Sequence, residues 1–404
     1  MRILYVVPYV PSATRNRSFG FIRALSDLGH HVHVVALRAP EDAWAPIEAV
    51  TPHCARLEVF ELSRRQTLLN AVDALPRRLP LQAAYGRHAL ARKRVGQLAS
   101  SGGFDVLHVE HIRGVLLAKG IDAIPTVFDA VDSISLLFDH TRRHARGWRE
   151  RAIARADLAR TRRFEASAPF LFDRMVVTTG RDRDAFVELA GRDASERIGV
   201  VSNGVALDVQ VRAEPAAPPI VLFSGKMSYH ANDAGAHLLA SAIMPRVWRS
   251  HAGARLIIAG KDPSLSLREL SRDPRVEVTG FVDDLPSLIR RAAVAIAPLP
   301  YAVGVQNKVL EAMACGVPVV ASRIAASGID AIDGRDWLLA DDADTLASAV
   351  TTLLDDPVTN RAVGEAGRRF VEQQHQWKVC ATRLVDEYGH ASRAHHRVVP
   401  AIAS

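Results

Sequence analysis

Cysteine is scarce in this chain: Cys54, Cys315 and Cys380 stand far apart among 404 residues, an odd number with no CxxC pair. A disulfide scaffold is thereby excluded, and a reducing, cytoplasmic setting fits better. Aromatic residues make up only 6% and no RNA- or DNA-binding motif is present, so the net charge of +7 does not point to nucleic acid as a partner. No apolar run approaches the roughly 20 residues that a membrane-spanning helix needs. No G-x-G-x-x-G follows the first apolar run; PYVPSATRNRSFG stands there, which argues against a hydride-transferring dehydrogenase. No spacing of His, Cys and Asp resembles a metal site, and His395-His396 belongs to a weakly patterned tail. After Met1–Val7 come Pro8, Pro11, Arg15 and Arg17 and no small-residue cleavage site, so this stretch reads as a buried strand rather than a signal segment.

What is present is an ordinary globular composition, 48% hydrophobic and 24% charged, long enough for two domains with real cores. Ten short β-branched runs alternate with helical patterns: RILYVVPYV, HVHVVAL, FDVLHVEH, PTVFDAVDS and RMVVTTGRD, then IVLFSGKM, RLIIAGKD, VEVTGF, VAIAPLP and VPVVASR. Runs that are apolar on both faces belong in parallel sheets covered by helices, so the expected class is α/β with doubly wound sheets. Between the two sets lies Glu214-Pro215-Ala216-Ala217-Pro218-Pro219, which reads as a linker between domains or as a Pro-rich loop inside a single one. The last helical pattern runs from Arg361 to about Tyr388.

One segment holds more chemistry than the rest: Pro298 to Val320, containing Gly304, then Asn307-Lys308-Val309-Leu310-Glu311 and a stop at Gly316. Asn307 is placed as the N-cap of a short helix whose buried stripe is Val309, Leu310, Met313 and Ala314. A helix N-terminus behind a glycine loop suits a phosphate, Lys308 adds positive charge for a diphosphate, and Glu311, three residues on, suits a pair of ribose hydroxyls. An ordinary capped helix with an intrahelical Lys–Glu pair has the same spacing. In the first half, His111 lies at a strand end, where it is a reactive imidazole or a satisfied one. Asp129 and Asp132 serve an acceptor hydroxyl or cap the next helix, and a cap is favoured for at least one. Glu165 and residues 181–184 are equally ambiguous.

The segment LEAMACGVPVVAS resembles the carboxy-terminal signature of the retaining family-four glycosyltransferases, which have the GT-B architecture of two facing Rossmann-like domains with a cleft between them. Ser202-Asn203-Gly204-Val205, Phe223-Ser224-Gly225-Lys226, Leu256–Gly260 and Val278-Thr279-Gly280-Phe281-Val282 resemble further family pieces in the same order. The resemblance implies transfer of a sugar from a nucleotide sugar to a glycan or lipid-linked acceptor in polysaccharide, exopolysaccharide or glycolipid synthesis, without metal or other cofactor. It implies His111, Lys226 and Glu311 at the reacting centre, to which Lys308 is added by its proximity, and Gly225, Val282, Gly304, Asn307, Lys308, Val309 and Glu311 are expected around the donor. Arg15 and Arg17, where the family's glycine pair is absent, and Asp132 are the acceptor-side candidates. The resemblance implies residues 1–212 as the acceptor-side domain, 213–219 as linker and 220–372 as the donor domain. Residues 373–390 form a helix packing back on the first domain, and 391–404 a loose tail. Two departures stand out: Val303 replaces the first of the family's paired glutamates, and Ala231-Asn232 replaces its second basic residue, a charge Lys308 is placed to supply. A GT-B nucleotide-sugar epimerase and a non-enzymatic basic nucleotide-binding protein are the alternatives.

Residues 139–165 contain nine arginines against four acidic residues, with Trp148, Ile153 and Leu158 among the few apolar ones. That pattern suits a basic helix lying on an anionic membrane, at the inner face of the cytoplasmic membrane, or a solvated arginine face.

Overall fold

The computed structural model describes residues 1–12, 15–40, 47–144, 148–212 and 214–398. They form two compact units, Met1–Gly204 with Trp377 onward, and Val205–Gln376.

The first unit is a parallel sheet of β1 (Arg2–Val7), β2 (His31–Arg38), β3 (Arg56–Glu61), β4 (Val106–Glu110), β5 (Thr126–Val131), β6 (Arg174–Val177) and β7 (Ile198–Val200), in the order β3-β2-β1-β4-β5-β6-β7. The all-apolar strands have a simple cause. Leu4, Val6, Val35 and Leu37 face one core, while Ile3, Tyr5, Val7, Val34 and Ala36 face another on the opposite side. Helix α1 (Asn16–Asp27) and the C-terminal helix Trp377–Val398 cover that second side.

The second unit is a parallel sheet of β8 (Ile220–Ser224), β9 (Arg255–Ala259), β10 (Val276–Gly280), β11 (Val294–Ala297), β12 (Val319–Ala321) and β13 (Leu338–Leu339), in the order β10-β9-β8-β11-β12-β13. In each sheet the order reverses beside the first strand, β1 or β8, and carboxyl ends at such a switch point are where ligands collect.

All ten expected runs are strands. The three additional ones, β3, β7 and β13, lie at sheet edges, where a half-exposed or very short strand lacks the double-sided apolar pattern.

Three boundaries differ from the expectation. The chain leaves the first unit at Gly204, not at the prolines, because residues up to 219 belong to the second unit's packing. Arg212 donates from its backbone to Cys315 and from its guanidinium to the carbonyls of Ala292 and Ala293, and Ala216 N–H donates to Arg291. The expected final helix is two, Pro357–Gln374 and Trp377–Val398, parted at His375-Gln376, where Val205 N–H donates to His375. The stretch placed in a loose tail is helical through Val398, with Ala391 fully buried and His395 against Asp173 at 3.2 Å; residues 399–404 lie outside the described residues.

The described residues of the arginine-rich segment lie in two helices. These are Ile134–His144 and Trp148–Ser167, tied by Arg162 to Asp139. Leu158 packs against the core and Ala154 and Phe164 are buried, so the described apolar side chains face inward; those of Trp148 and Ile153 lie outside the described residues.

Candidate functional site

In the second unit the carboxyl ends of β8 and β9 are drawn together by two glycines with positive φ. Gly225 has φ +152° and Gly260 φ +148°, and a Cβ on Gly260 would stand 1.7 Å from the Gly225 carbonyl oxygen, so neither turn admits a side chain. Gly225 N–H donates to Ala259, Gly260 N–H to Gly280 and Met227 N–H to Lys261, which knits the three strand ends into one floor.

The side chains above that floor come from two helices. Asn232, buried on the helix His230–Leu238, donates from Nδ2 to the Lys226 carbonyl at 2.9 Å and accepts the Lys308 ammonium on Oδ1 at 2.5 Å. Lys308 Nζ also lies 4.7 Å from the centre of the Phe223 ring and 3.1 Å from where a Gly225 Cβ would be. The ammonium therefore sits over the Gly225 turn, against the very position left uncharged by Asn232. Burial pushes the Lys308 ammonium down to about 7, opposed by the Glu311 carboxylate. Burial pushes the Glu311 carboxyl up, opposed by Lys308. Lys226 projects into solvent from the same turn.

Gly304 has φ +66° in the loop before the helix Asn307–Ala314, and half-buried Val282 packs at the end of β10. Two expectations are corrected here. Asn307 is the first helical residue and not the cap, because Gln306 adopts the extended cap conformation (φ −82°, ψ 90°). Val309 offers nothing to a donor: its side chain is in the core and its N–H donates to Gln306 at 2.9 Å. Phe281, quoted in the sequence pattern but not singled out, exposes 66% of its surface just beyond β10.

In the first unit, His111 begins the helix His111–Ala118 directly after β4 with φ +64°, a left-handed conformation that costs of order 1–3 kcal/mol and clusters at functional sites. Its Nδ1 accepts the Arg113 N–H at 3.2 Å, which leaves the ring proton on Nε2. Burial, then the charges of Arg113 and Arg15, hold its pKa near 3, so the imidazole is neutral at ordinary pH. Arg15 stacks over Tyr9 at 4.7 Å and remains half-exposed.

Arg17 does not face an acceptor. It is 4% exposed, its Nε donates to Asp129 at 2.9 Å, and its Nη1 donates to the Val201 carbonyl and to Asn203 Oδ1. Neither aspartate is a cap. Asp129 is the partner of Arg17 and Asp132 accepts from Thr178 at 2.8 Å, while Ser133 Oγ takes the Leu136 N–H at the next helix. Asp132 is half-buried and pushed up to about 7 by burial and by the Asp182 charge. Asp182 and Glu165 are buried supports: Asp182 pairs with Thr179 at a helix start, and Glu165 accepts from Ser133 and Ser135.

Sequence reasoning missed Glu110. It is fully buried, accepts from Tyr5 at 2.8 Å and from Tyr9, and is pushed up to about 7 by burial and the charge of Asp129. Glu110, Asp129 and His108 have ligand atoms within 4.8 Å of one another, yet Arg17 already supplies the cation bonded to Asp129.

Two parallel Rossmann-like units, one with a cationic glycine floor at its switch point, have the architecture of the GT-B fold. Residues 218–356 match the family Glycosyl transferases group 1. A glycogen synthase of Mycobacterium tuberculosis is 28% identical over 72% of this chain and 71% of its own length. A phosphatidyl-myo-inositol mannosyltransferase of Mycobacterium leprae is 26% identical over 96% of each. Among solved structures, a sucrose-phosphate synthase from Thermosynechococcus elongatus superposes with TM-score 0.70 at 17% identity, covering 98% of this chain and 100% of that one. The Anabaena protein HepE, solved with UDP and glucose, gives 0.64 at 16% identity, covering 96% of this chain and 98% of that one. The chain is a glycosyltransferase, and its match to the group 1 family lies in the second unit, at residues 218–356.

Proposed function

We propose that this glycosyltransferase takes its sugar from a nucleoside diphosphate donor, retains the anomeric configuration, and extends a glycan or lipid-linked acceptor at the inner face of the cytoplasmic membrane. The observation that supports the donor reading is the Lys308 ammonium poised over the Gly225 turn, beside a Glu311 carboxylate on the same helix face. Relatives named as GDP-mannose-dependent and a fold neighbour solved with UDP support a nucleoside diphosphate. The hard step is departure of the diphosphate. Lys226 and Lys308 stabilise that negative charge without a metal, and preorganised charge of this kind is usually the largest catalytic term. Glu311 accepts hydroxyls of a ribose, and the exposed Phe281 ring offers a face on which a base stacks. Neutral His111, with its proton on Nε2, donates to a sugar hydroxyl, and Asp132 accepts from the acceptor. Retention rests on the likeness of LEAMACGVPVVAS to retaining enzymes.

The test is acceptor-dependent release of nucleoside diphosphate in the presence of a chelator, with the product anomer read by NMR. Glu311→Gln should weaken donor binding by about 1.5–3 kcal/mol, the range for a hydrogen bond to a charged group. Unchanged donor affinity in a folded Glu311→Gln protein would remove Glu311 from the site.

A further inference from the structure

Helix α2 (Arg64–Ala74) is turned inside out. Its inward face is Asn70 and Ala74, and Asn70 is held by donating to the Arg87 carbonyl at 2.8 Å. Its outward face is Leu68, Leu69 and Val72, continued by Leu75, with exposures of 67%, 62%, 60% and 49%. Positions 68, 72 and 75 recur at helical spacing, so the four side chains make one apolar stripe. Scattered exposed leucines are normal, but a stripe of them on a helix whose buried side is polar is not.

The charge around the stripe is of one sign. Residues 64–79 contain four arginines and one aspartate, and Asp73 is already paired with Arg77 and Arg87. Arg64 and Arg65 occupy the first turn, where the helix dipole disfavours a cation, so they do not serve the helix itself. Exposed Arg78 lies beyond its other end. An apolar stripe with arginines at both ends suits an anionic lipid bilayer, with the stripe in the acyl boundary and the guanidinium groups at the phosphates. The helix follows β3, the edge strand, and so leaves the carboxyl side of the sheet, where Glu110, His111 and Asp132 also lie.

We propose that α2 and the turn after it are the surface by which the enzyme docks on anionic membrane. This gives the lipid-linked acceptor of the proposed function its place and rests on that reading. The arginine-rich helix Trp148–Ser167 presents exposed Arg151, Arg155, Arg162 and Arg163, but its described apolar side chains pack inward. It is therefore the control.

The experiment is co-sedimentation of the full chain with phosphatidylcholine vesicles, with and without phosphatidylglycerol, at two salt concentrations. Wild type should bind only the anionic vesicles, and less at high salt. The triple variant Leu68→Ser, Leu69→Ser, Val72→Ser should bind at least about tenfold more weakly, since it removes three side chains from the acyl boundary. Arg64→Gln with Arg65→Gln and Arg78→Gln should bind roughly a hundredfold more weakly. Arg151→Gln with Arg155→Gln, Arg162→Gln and Arg163→Gln should bind nearly as wild type. Because the altered side chains are exposed, nucleotide-sugar turnover on a soluble acceptor should be unchanged in every variant, which separates failure of the surface from failure of the transferase reading. Wild-type binding by the serine variant, equal binding to neutral vesicles, or no vesicle binding would overturn the proposal. So would a dimer that the serine variant dissolves without any vesicle binding, which would make the stripe an interface between copies.

Discussion

Lys308, the cation of the proposed donor site, sets ligand charge against stability. Its ammonium titrates near 7 in the folded chain and near 10.5 when exposed. Between those values the unfolded state holds the extra proton, so stability rises with pH across that window, and below about 7 the folded protein bears the full cost of the buried charge. A diphosphate restores the charge partner and should draw a proton onto Lys308. Affinity for a nucleoside diphosphate should therefore strengthen as pH falls from about 8 to 6.5, with proton uptake visible by calorimetry in buffers of different ionisation enthalpy. Lys308→Gln should abolish that uptake. It should also raise the melting temperature of the second unit at pH 6 by about 2–4 °C for each kcal/mol of relieved burial, while weakening the nucleotide. A Lys308→Gln protein that melts lower without ligand would show that the ammonium is stabilising where it stands. The residue was legible in the sequence as a charge for a diphosphate. Its bond to Asn232, 76 positions away, is a fact of the fold alone.

At the scale of elements, the strand ends hold strain as well as chemistry. Val131, at the end of β5, has φ +67°, a conformation that a β-branched side chain rarely adopts. It is held there because Asp129 Oδ1 takes its N–H at 3.0 Å and its carbonyl takes the Thr178 N–H at 2.8 Å, a pinch that turns the chain toward Asp132. Asn tolerates left-handed backbone, so Val131→Asn should raise stability by about 1 kcal/mol, read as a shift of the denaturation midpoint at constant slope. A lower midpoint would mean that half-buried packing of the valine outweighs its strain. Strand positions were readable because burial on two faces leaves an unmistakable apolar run. Strand-end conformations were not, since VFDAVDS looks the same whether Val131 is extended or left-handed. Arg17 was misplaced for a like reason: its partner Asp129 is 112 positions away, and an arginine in a proline-rich opening looks exposed until α1 turns it inward. The Asn307 cap failed because the chain enters the helix one residue earlier, at an extended Gln306 whose side chain makes no cap bond, and a residue's preference for the cap position does not by itself fix where a helix begins.

For the whole molecule, the first unit is completed by the end of the chain. The helix Trp377–Val398 supplies Cys380, Ala381, Leu384, Tyr388 and Ala391 to the core beneath β1 and β2, each fully buried. Its Trp377 ring fills the space where a Cβ on Gly20 or Gly204 would stand, 2.2 and 2.5 Å away. Tyr388 hydrogen-bonds His108 at 3.1 Å, and Glu387 takes Arg174 at 2.5 Å. Each large apolar side chain removed from a core forfeits about 1.5–3 kcal/mol, so losing Leu384, Tyr388, Trp377 and the smaller residues together approaches the about 5–15 kcal/mol that holds a domain folded. Among the described residues, none beyond Gln376 belongs to the core of the second unit. A chain ending at Gln376 should accordingly lose the calorimetric transition of the first unit and keep that of the second. A nucleoside diphosphate should still raise the surviving transition, because Gly225, Lys226, Lys308 and Glu311 all lie within it, while transfer to any acceptor should vanish with His111 and Asp132 no longer in a folded sheet. If both transitions survived the truncation, the terminal helix would be an ornament on a sheet stable without it. If neither survived, the second unit would depend on the first for its folding.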